Sequence, residues 1–528
     1  MHSLSCNGLG AEGAAALAPA LAANVSLTSL NLSSNNLCSV TETGYIKASQ
    51  VQGSSFNEGD KVVYQGKEMI VSKAKDGDGD IKMTGNRWIR MTNLPDMTGL
   101  NALADAFHVN GSLTVTNLLG NQLDAESAKM LAEVAKRKGI SLCGIQRDQT
   151  TADFSNQNLE PRDAILLALD LSQAGVTGSL TELFIYGNRV GDEGVRAICE
   201  AIQSNKETKL ASLNFGNNGI GPVGANALAA MVAVTGSLTK LLLDQNELEK
   251  EGTKAICEAL EQNTTLKELD IRGGCGVSNI GGPAGVKLVA KMLGVNGGLT
   301  SIDLSGNQLC GVWTELGEQH GTYTAEGITA IAEALRVNGS LTSIDLSDNA
   351  LTNYGRDMTG IKQLAAALGV NGALTSINLS NNVLCGTNRY GGGTYTAEGI
   401  IAIADALRVN GSLTVTNLLK NELDAESAKM LAEVAKQKGI SLCGIQRDQT
   451  TADVSNIYLE PPDAILLASD LSQAGVTGLL TSIDLSGNAL TDYGRDMTGI
   501  MELAAALGVN GSLTKMRYVT PKLERIWV

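Results

Sequence analysis

Apolar and polar positions alternate along this chain in one recurring pattern. A leucine opens it, inward apolar residues alternate with polar ones, an asparagine closes it, and an amphipathic stretch follows. The pattern L-T-x-L-x-L-x-x-N-x-L reads LTSLNLSSNNL from Leu27, LTSIDLSGNQL from Leu299, LTSIDLSDNAL from Leu341 and LTSINLSNNVL from Leu374. In the second copy the period of two puts Ile302 and Leu304 on one face and Ser301, Asp303 and Ser305 on the other, which predicts a short strand. The following AEGITAIAEALRVNG places Ile328, Ile331, Ala332 and Leu335 on one helical face, with Gly339 expected as a left-handed stop.

Repetition decides the fold class. The opening residues Leu180, Leu210, Leu238 and Leu266 are 30, 28 and 28 residues apart, enough for one strand and one helix each; the 42 residues from Leu299 to Leu341 include an insertion. A repeat of this length cannot bury its apolar stripe alone, so an α/β solenoid is expected, a horseshoe with parallel strands on its concave side and helices on its convex side. Asn35, Asn121, Asn188, Asn218, Asn246, Asn307, Asn349, Asn382, Asn421 and Asn488 stand where the chain leaves each strand. A buried amide there satisfies backbone groups that the bend leaves unpaired. Gly274, Gln157 and Ile457 replace that asparagine, and local kinks are expected at those points. SLCGI, at Ser141 and Ser441, carries extra residues and reads equally as a strand of its own or as a loop.

The repeat stops between Cys38 and Met97. KVVY, EMIVS, DIKM and RWIRM read there as short strands joined by QG and DGDG turns, a small β module of SH3-like type. The organisation expected is 1–38, N-terminal repeats; 39–96, the inserted β module; and 97–528, the main array. Residues 109–180 match 409–480 at 63 of 72 positions, the mark of an internal duplication. SLSCNGLG begins in mid-repeat and MRYVTPKLERIWV has no clear capping helix, so a truncated chain or self-association through uncapped ends is an expectation.

Composition narrows the function. Hydrophobic residues make up 43% of 528 and aromatics 3%, so the core is aliphatic. A net charge of -15 argues against a nucleic-acid or anionic-membrane partner, since both need a basic face. No stretch reaches about 18 apolar residues. The nine cysteines form no Cys-x-x-Cys pair and read as reduced, buried thiols, which points to the cytoplasm. NGS tripeptides such as that at Asn338 would be glycosylation acceptors only in a secreted chain.

Catalytic chemistry has little material. The three histidines, His2, His108 and His320, stand in unrelated contexts, so neither a metal site, a cofactor nor a catalytic triad is expected. GGPAGVK, ending at Lys287, lacks phosphate-loop spacing and reads as a loop leading into a helix. Asp76, Asp78 and Asp80 suggest calcium, but a calcium loop needs Gly and Glu where Ile81 and Arg87 stand, so a polar hairpin turn is expected.

These motifs resemble the ribonuclease-inhibitor-like subfamily of leucine-rich-repeat proteins, which includes the Ran GTPase-activating protein, the repeat domains of NOD-like receptors and flagellar regulatory-complex subunits. The resemblance covers nearly all the chain outside residues 39–96 and implies a curved scaffold whose concave face and loop edges bind proteins; the scarcity of catalytic residues leaves no enzymatic activity expected. Its alternatives are regulation of a small GTPase and a structural place in a flagellar or cytoskeletal complex.

The candidate site is the strand face. One column reads Asn31, Asn117, Asp153, Phe184, Asn214, Leu242, Asp270, Asp303, Asp345, Asn378, Asn417, Asp453 and Asp484. In it Asp270, Asp303, Asp345 and Asp484 are expected to meet basic residues of a partner protein, with Arg272, Asn378 and Asn417 beside them. The competing reading is that Asp or Asn is simply the consensus of the repeat. Phe184, Tyr186 and Arg189 are the preferred anchor, because aromatics and Arg dominate binding hot spots. The loops GVWTELGEQHGTY from Gly311 and GTNRYGGGTY from Gly386 insert at equivalent places, either as a binding rim or as neutral expansions.

Overall fold

The computed structural model describes residues 2–37, 46–47, 61–64, 67–73, 80–84, 98–123, 125–274, 276–315, 318–388 and 390–518. The chain forms two units. The first takes Met1–Gln149 with Asn158–Ser179, and the second takes Thr150–Gln157 with Leu180–Val528.

In the first unit His2–Ser3, Ser29–Asn31 and Val115–Asn117 make a parallel three-stranded sheet. The inserted segment makes an antiparallel sheet in the order Ile46–Lys47, Asp80–Thr84, Lys67–Lys73, Lys61–Tyr64. KVVY, EMIVS and DIKM are thus strands, while RWIRM, Asp76 and Asp78 lie outside the described residues.

The second unit holds the main array. Nine parallel strands stand in the order Val415–Asn417, Ser376–Asn378, Ser343–Asp345, Ser301–Asp303, Glu268–Asp270, Lys240–Leu242, Ser212–Asn214, Glu182–Phe184 and Thr151–Asp153. Their middle residues stack in register, Leu183 on Leu213, Leu241, Leu269, Ile302, Ile344 and Ile377. Each of these seven is at most 1% exposed. Each contributes about 1.5–3 kcal/mol, and only because the next repeat covers it. The helix Glu326–Val337 buries Ile328, Ile331, Ala332 and Leu335 as its spacing predicts.

Two asparagine ladders hold the repeats in register. At the strand exit, Asn307 Nδ2 donates to Ile271 O of the preceding repeat (2.9 Å) and to its own Leu304 O (3.2 Å), and its Oδ1 accepts Asn279 N (2.9 Å). Asn349 and Asn382 repeat this pattern. The second ladder, at the helix exit, went unread in the sequence. Asn338 Nδ2 donates to Leu293 O (2.7 Å), and its Oδ1 accepts Ser340 N (3.0 Å) and Leu341 N (2.8 Å). Asn371 and Asn410 do the same one and two repeats on.

This corrects the expected helix stop. Gly339 is not left-handed; Asn338 ends the helix in an extended conformation, φ -74° and ψ 122°. The NGS tripeptide at Asn338 is therefore a buried clamp, its amide occupied. GGPAGVK is also corrected: Gly282 and Pro283 already lie in the helix Gly282–Leu293, with Pro in its first turn.

At Gly274 the expected kink is replaced by a looped-out segment, and Asn279 takes the ladder position. Its Nδ2 donates to Leu243 O at 2.8 Å, and the strands on either side keep their register. Gln157 reaches Asp153 O in its own repeat instead (3.3 Å), while its N–H still meets Asn188 Oδ1 (3.0 Å).

SLCGI forms no strand of its own. Ser441 makes a single parallel bridge to Val415, and the nine-stranded sheet ends there. The buried Asp470 carboxylate takes over the role of a strand partner, accepting Ser441 Oγ (2.7 Å), Leu442 N (2.8 Å) and Cys443 N (3.1 Å). Asp170 repeats the arrangement with Ser141, Leu142 and Cys143 in the first unit. A separate parallel sheet of Thr451–Asp453, Ser482–Asp484 and Lys515–Arg517 follows the break in the second unit.

Candidate functional site

The last residue of each strand faces away from the core. In register, the nine-stranded sheet lines up Asp153, Phe184, Asn214, Leu242, Asp270, Asp303, Asp345, Asn378 and Asn417. The structure shows why Asp and Asn dominate. Oδ1 of Asp303 accepts Ser305 N (2.9 Å), that of Asp345 accepts Ser347 N (2.9 Å) and that of Asn378 accepts Ser380 N (3.1 Å). Each side chain closes a turn two residues on and stops its strand. The consensus reading thus has a mechanism, and an aspartate keeps one carboxylate oxygen beyond it.

Phe184 and Leu242 are the members that cannot close such a turn. Both are half-buried, and two residues after Phe184 the Tyr186 ring edge and the Asp244 carboxylate both crowd the space where a Cβ on Gly216 would stand. Asp244 leads to a cluster centred on Arg272. The guanidinium lies 3.3 Å from Asp244 Oδ2, 3.5 Å from Asp270 Oδ2 and 3.9 Å from Asp303 Oδ2. Burial, reinforced by the Asp303 charge, pushes Asp270 up to about 7. Burial and the neighbouring Asp345 raise Asp303 as well. Asp345 Oδ2 accepts Asn378 Nδ2 at 2.8 Å.

Phe184, Tyr186, Asp270, Arg272, Asp303, Asp345, Asn378 and Asn417 therefore share one sheet face, and Arg189 stands exposed beyond the strand exit. Asp484 does not join them. It lies in the separate three-stranded sheet, where Arg517 approaches it at 3.6 Å.

Sequence reasoning named the two loops but not what they enclose. Trp313 and Tyr390, one from each, line a groove of about 550 Å3 on the strand-exit edge, together with Asp348, Lys420 and Glu422. The equivalent placement of the two insertions was the available signal.

Among the described residues, no group of His, Cys, Asp and Glu has a metal-binding arrangement, and no helix is long and apolar enough to cross a membrane. Cys143, Cys199, Cys257, Cys310, Cys385 and Cys443 are buried free thiols; Cys6 is exposed, against the expectation of burial. His320 stacks on Trp313, ring centres 5.6 Å apart.

Repeated strand, asparagine turn and helix, stacked in parallel register, define a leucine-rich-repeat solenoid. The chain is similar to the ribonuclease-inhibitor-like leucine-rich-repeat proteins. The family described as "Leucine Rich repeat" matches residues 3–18, 23–37, 179–199 and 206–229. Similar proteins include NACHT, LRR and PYD domains-containing protein 5 of Bos taurus, 31% identical over 25% of this chain and 12% of that protein. Ribonuclease inhibitor of Sus scrofa is 33% identical over 24% of this chain and 27% of its own length. Ran GTPase-activating protein 1 of Xenopus laevis is 27% identical over 38% and 35%. The chain thus spans between 12% and 35% of the length of these relatives.

Proposed function

We propose that the chain is a protein-interaction scaffold whose partner lies across the strand face and loop edge of its second unit. The observation that carries this is the run of Phe184, Tyr186, Asp244, Arg272, Asp303 and Asp345 across adjacent registered strands. It joins an aromatic anchor to a row of carboxylates, a combination suited to a partner with apolar and basic residues. Leucine-rich repeats typically serve protein interaction, and no catalytic residue enters this reading. The buried thiols, each sealed in its own repeat, suit a reducing compartment such as the cytoplasm.

Affinity capture from the source organism tests it, comparing the wild-type chain with a Phe184→Ala, Tyr186→Ala variant and an Asp303→Lys, Asp345→Lys variant. Loss of a shared set of proteins in both variants is expected. Identical captured sets for all three overturn the strand-face reading.

A second reading, regulation of a small GTPase, is supported by the match to Ran GTPase-activating protein 1. It predicts faster single-turnover GTP hydrolysis by a captured GTPase when the chain is added, whereas a plain scaffold leaves that rate unchanged.

A further inference from the structure

The strand-exit groove has an apolar floor and charged, aromatic walls. Ala350 and Val383, each 8% exposed, form the floor. Trp313, on the hairpin Val312–Glu315 and Glu318–Gly321, lines the groove with its ring stacked on His320. Tyr390, 60% exposed, lines it from the second loop. Asp348, Lys420 and Glu422 supply the charge, with two carboxylates against one ammonium. A volume of about 550 Å3 falls within the range of roughly 300–1,000 Å3 that encloses a small ligand or a short run of peptide.

The duplication gives an independent pointer. The 72-residue copies differ at nine positions, and two of the nine are Lys420 and Glu422, where the first copy has Gly120 and Gln122. Position 420 is left-handed in both copies, φ 71° at Gly120 and φ 61° at Lys420. Glycine takes that conformation freely and lysine does not. The second copy thus carries a charged side chain into the groove at a left-handed position where the first copy has glycine. Val383, φ 58°, is a β-branched residue in the same region.

We propose that this groove docks an arginine-bearing extended segment of a protein partner. An arginine uses every part of it: the aliphatic stem covers Ala350 and Val383, and the guanidinium stacks on an aromatic wall and meets the Asp348 and Glu422 carboxylates. Lys420 faces a main-chain carbonyl or acidic residue of the same segment. The proposal rests on the reading of the chain as a protein-binding scaffold and names the chemistry its loop edge selects.

The test uses the full chain labelled with 5-fluorotryptophan, the Trp313 fluorine resonance being assigned by its loss in Trp313→Phe. The probes are acetyl-Gly-Leu-Arg-Gly-amide and the same peptide with citrulline, which keeps the shape and removes the charge. A saturable shift of the Trp313 resonance with the arginine peptide, roughly tenfold weaker with citrulline, is expected. Asp348→Asn, and the double variant Lys420→Gly, Glu422→Gln, are each expected to weaken binding several-fold at unchanged Tm. The double variant carries the first copy's own residues, so the fold tolerates it. An unmoved Trp313 resonance, equal shifts with both peptides, or unaltered affinity in both variants overturns the proposal. If it fails while the strand-face variants still lose captured proteins, the scaffold reading stands; if those variants lose nothing, that reading falls separately.

Discussion

Asn279 donates its side-chain amide to the Leu243 carbonyl, 2.8 Å away in the preceding repeat, although the motif of its own repeat places Gly274 in the ladder. Its Oδ1 also accepts Leu248 N (3.3 Å), so its removal leaves that buried N–H without its acceptor and Leu243 O with only the Asn246 amide. Asn279→Ala is expected to cost about 2–3 kcal/mol, as much as Asn307→Ala. Gly274→Ala, where an added Cβ meets nothing within 4 Å, should stay within about 0.5 kcal/mol. Urea midpoints of the three variants measure this, and an Asn279→Ala midpoint equal to that of Gly274→Ala counts against the substituted ladder.

Asp170 and Asp470 give the fold a pH dependence. Burial pushes each carboxyl up to about 6, against hydrogen bonds from Ser141 and Ser441 and the following N–H groups that pull it down. An unfolded aspartate titrates near about 3.9. Between those values the folded chain holds protons that the unfolded chain releases. The contribution to stability is therefore full below about 4 and lost as pH rises through about 6. Replacing both residues with Asn should flatten the fall in Tm between about pH 4 and about pH 6.5, the window of these shifts. An unchanged slope in the double variant refutes the assignment. Asp470→Ala, which removes the acceptor of the Ser441 hydroxyl and of Leu442 N, should cost about 3 kcal/mol near pH 4 and less as pH rises through about 6.

Gly216 is needed for close approach. A Cβ there would collide with the Asp244 carboxylate and lie 2.9 Å from Tyr186 Cδ2. Asp244 is 2% exposed and held by Arg272, so it has little room to yield. Gly216→Ala is expected to cost about 1–3 kcal/mol and to separate Tyr186 from the Arg272 cluster. Thermal melts read the first effect, and reduced capture of the proteins that Phe184→Ala, Tyr186→Ala loses reads the second. A variant with wild-type Tm and wild-type capture contradicts the tight packing.

Most of the fold was legible because the strand period of two and the helical spacing agree at every repeat. Ile302, Leu304, Ile328 and Leu335 are buried where the pattern puts them. What escaped were features satisfied from another repeat. Asn338 looked like a residue before a glycine stop because its partner, Leu293 O, is 45 residues away. Asp470 gives no signal within its own repeat because it serves Ser441, 29 residues earlier. The candidate column was legible as a column, but its continuation to Asp484 was not. The buried Asp470 takes the sheet's place after Ser441, and no residue of the column itself marks that break.

Asp303 and Asp345 do two things at once, and one substitution separates them. In each, Oδ1 closes the turn to the serine two residues on, while Oδ2 faces Arg272 or Asn378 and the open face. Asparagine keeps the turn acceptor and removes the charge, and the sheet already uses it at Asn378 and Asn417. Asp345→Asn, which keeps the turn but costs Asn378 Nδ2 its acceptor, should cost about 0.5–1 kcal/mol, whereas Asp345→Ala, which loses both, should cost about 1.5–2.5 kcal/mol. If the column recognises a basic partner, the Asp303→Asn, Asp345→Asn double variant should bind captured protein several-fold more weakly, and the loss should shrink as salt is raised. Titration of captured partner against wild type and this variant at low and high salt measures it. Equal affinities at both would reduce the aspartates to the turn they close, leaving Phe184 and Tyr186 to carry recognition.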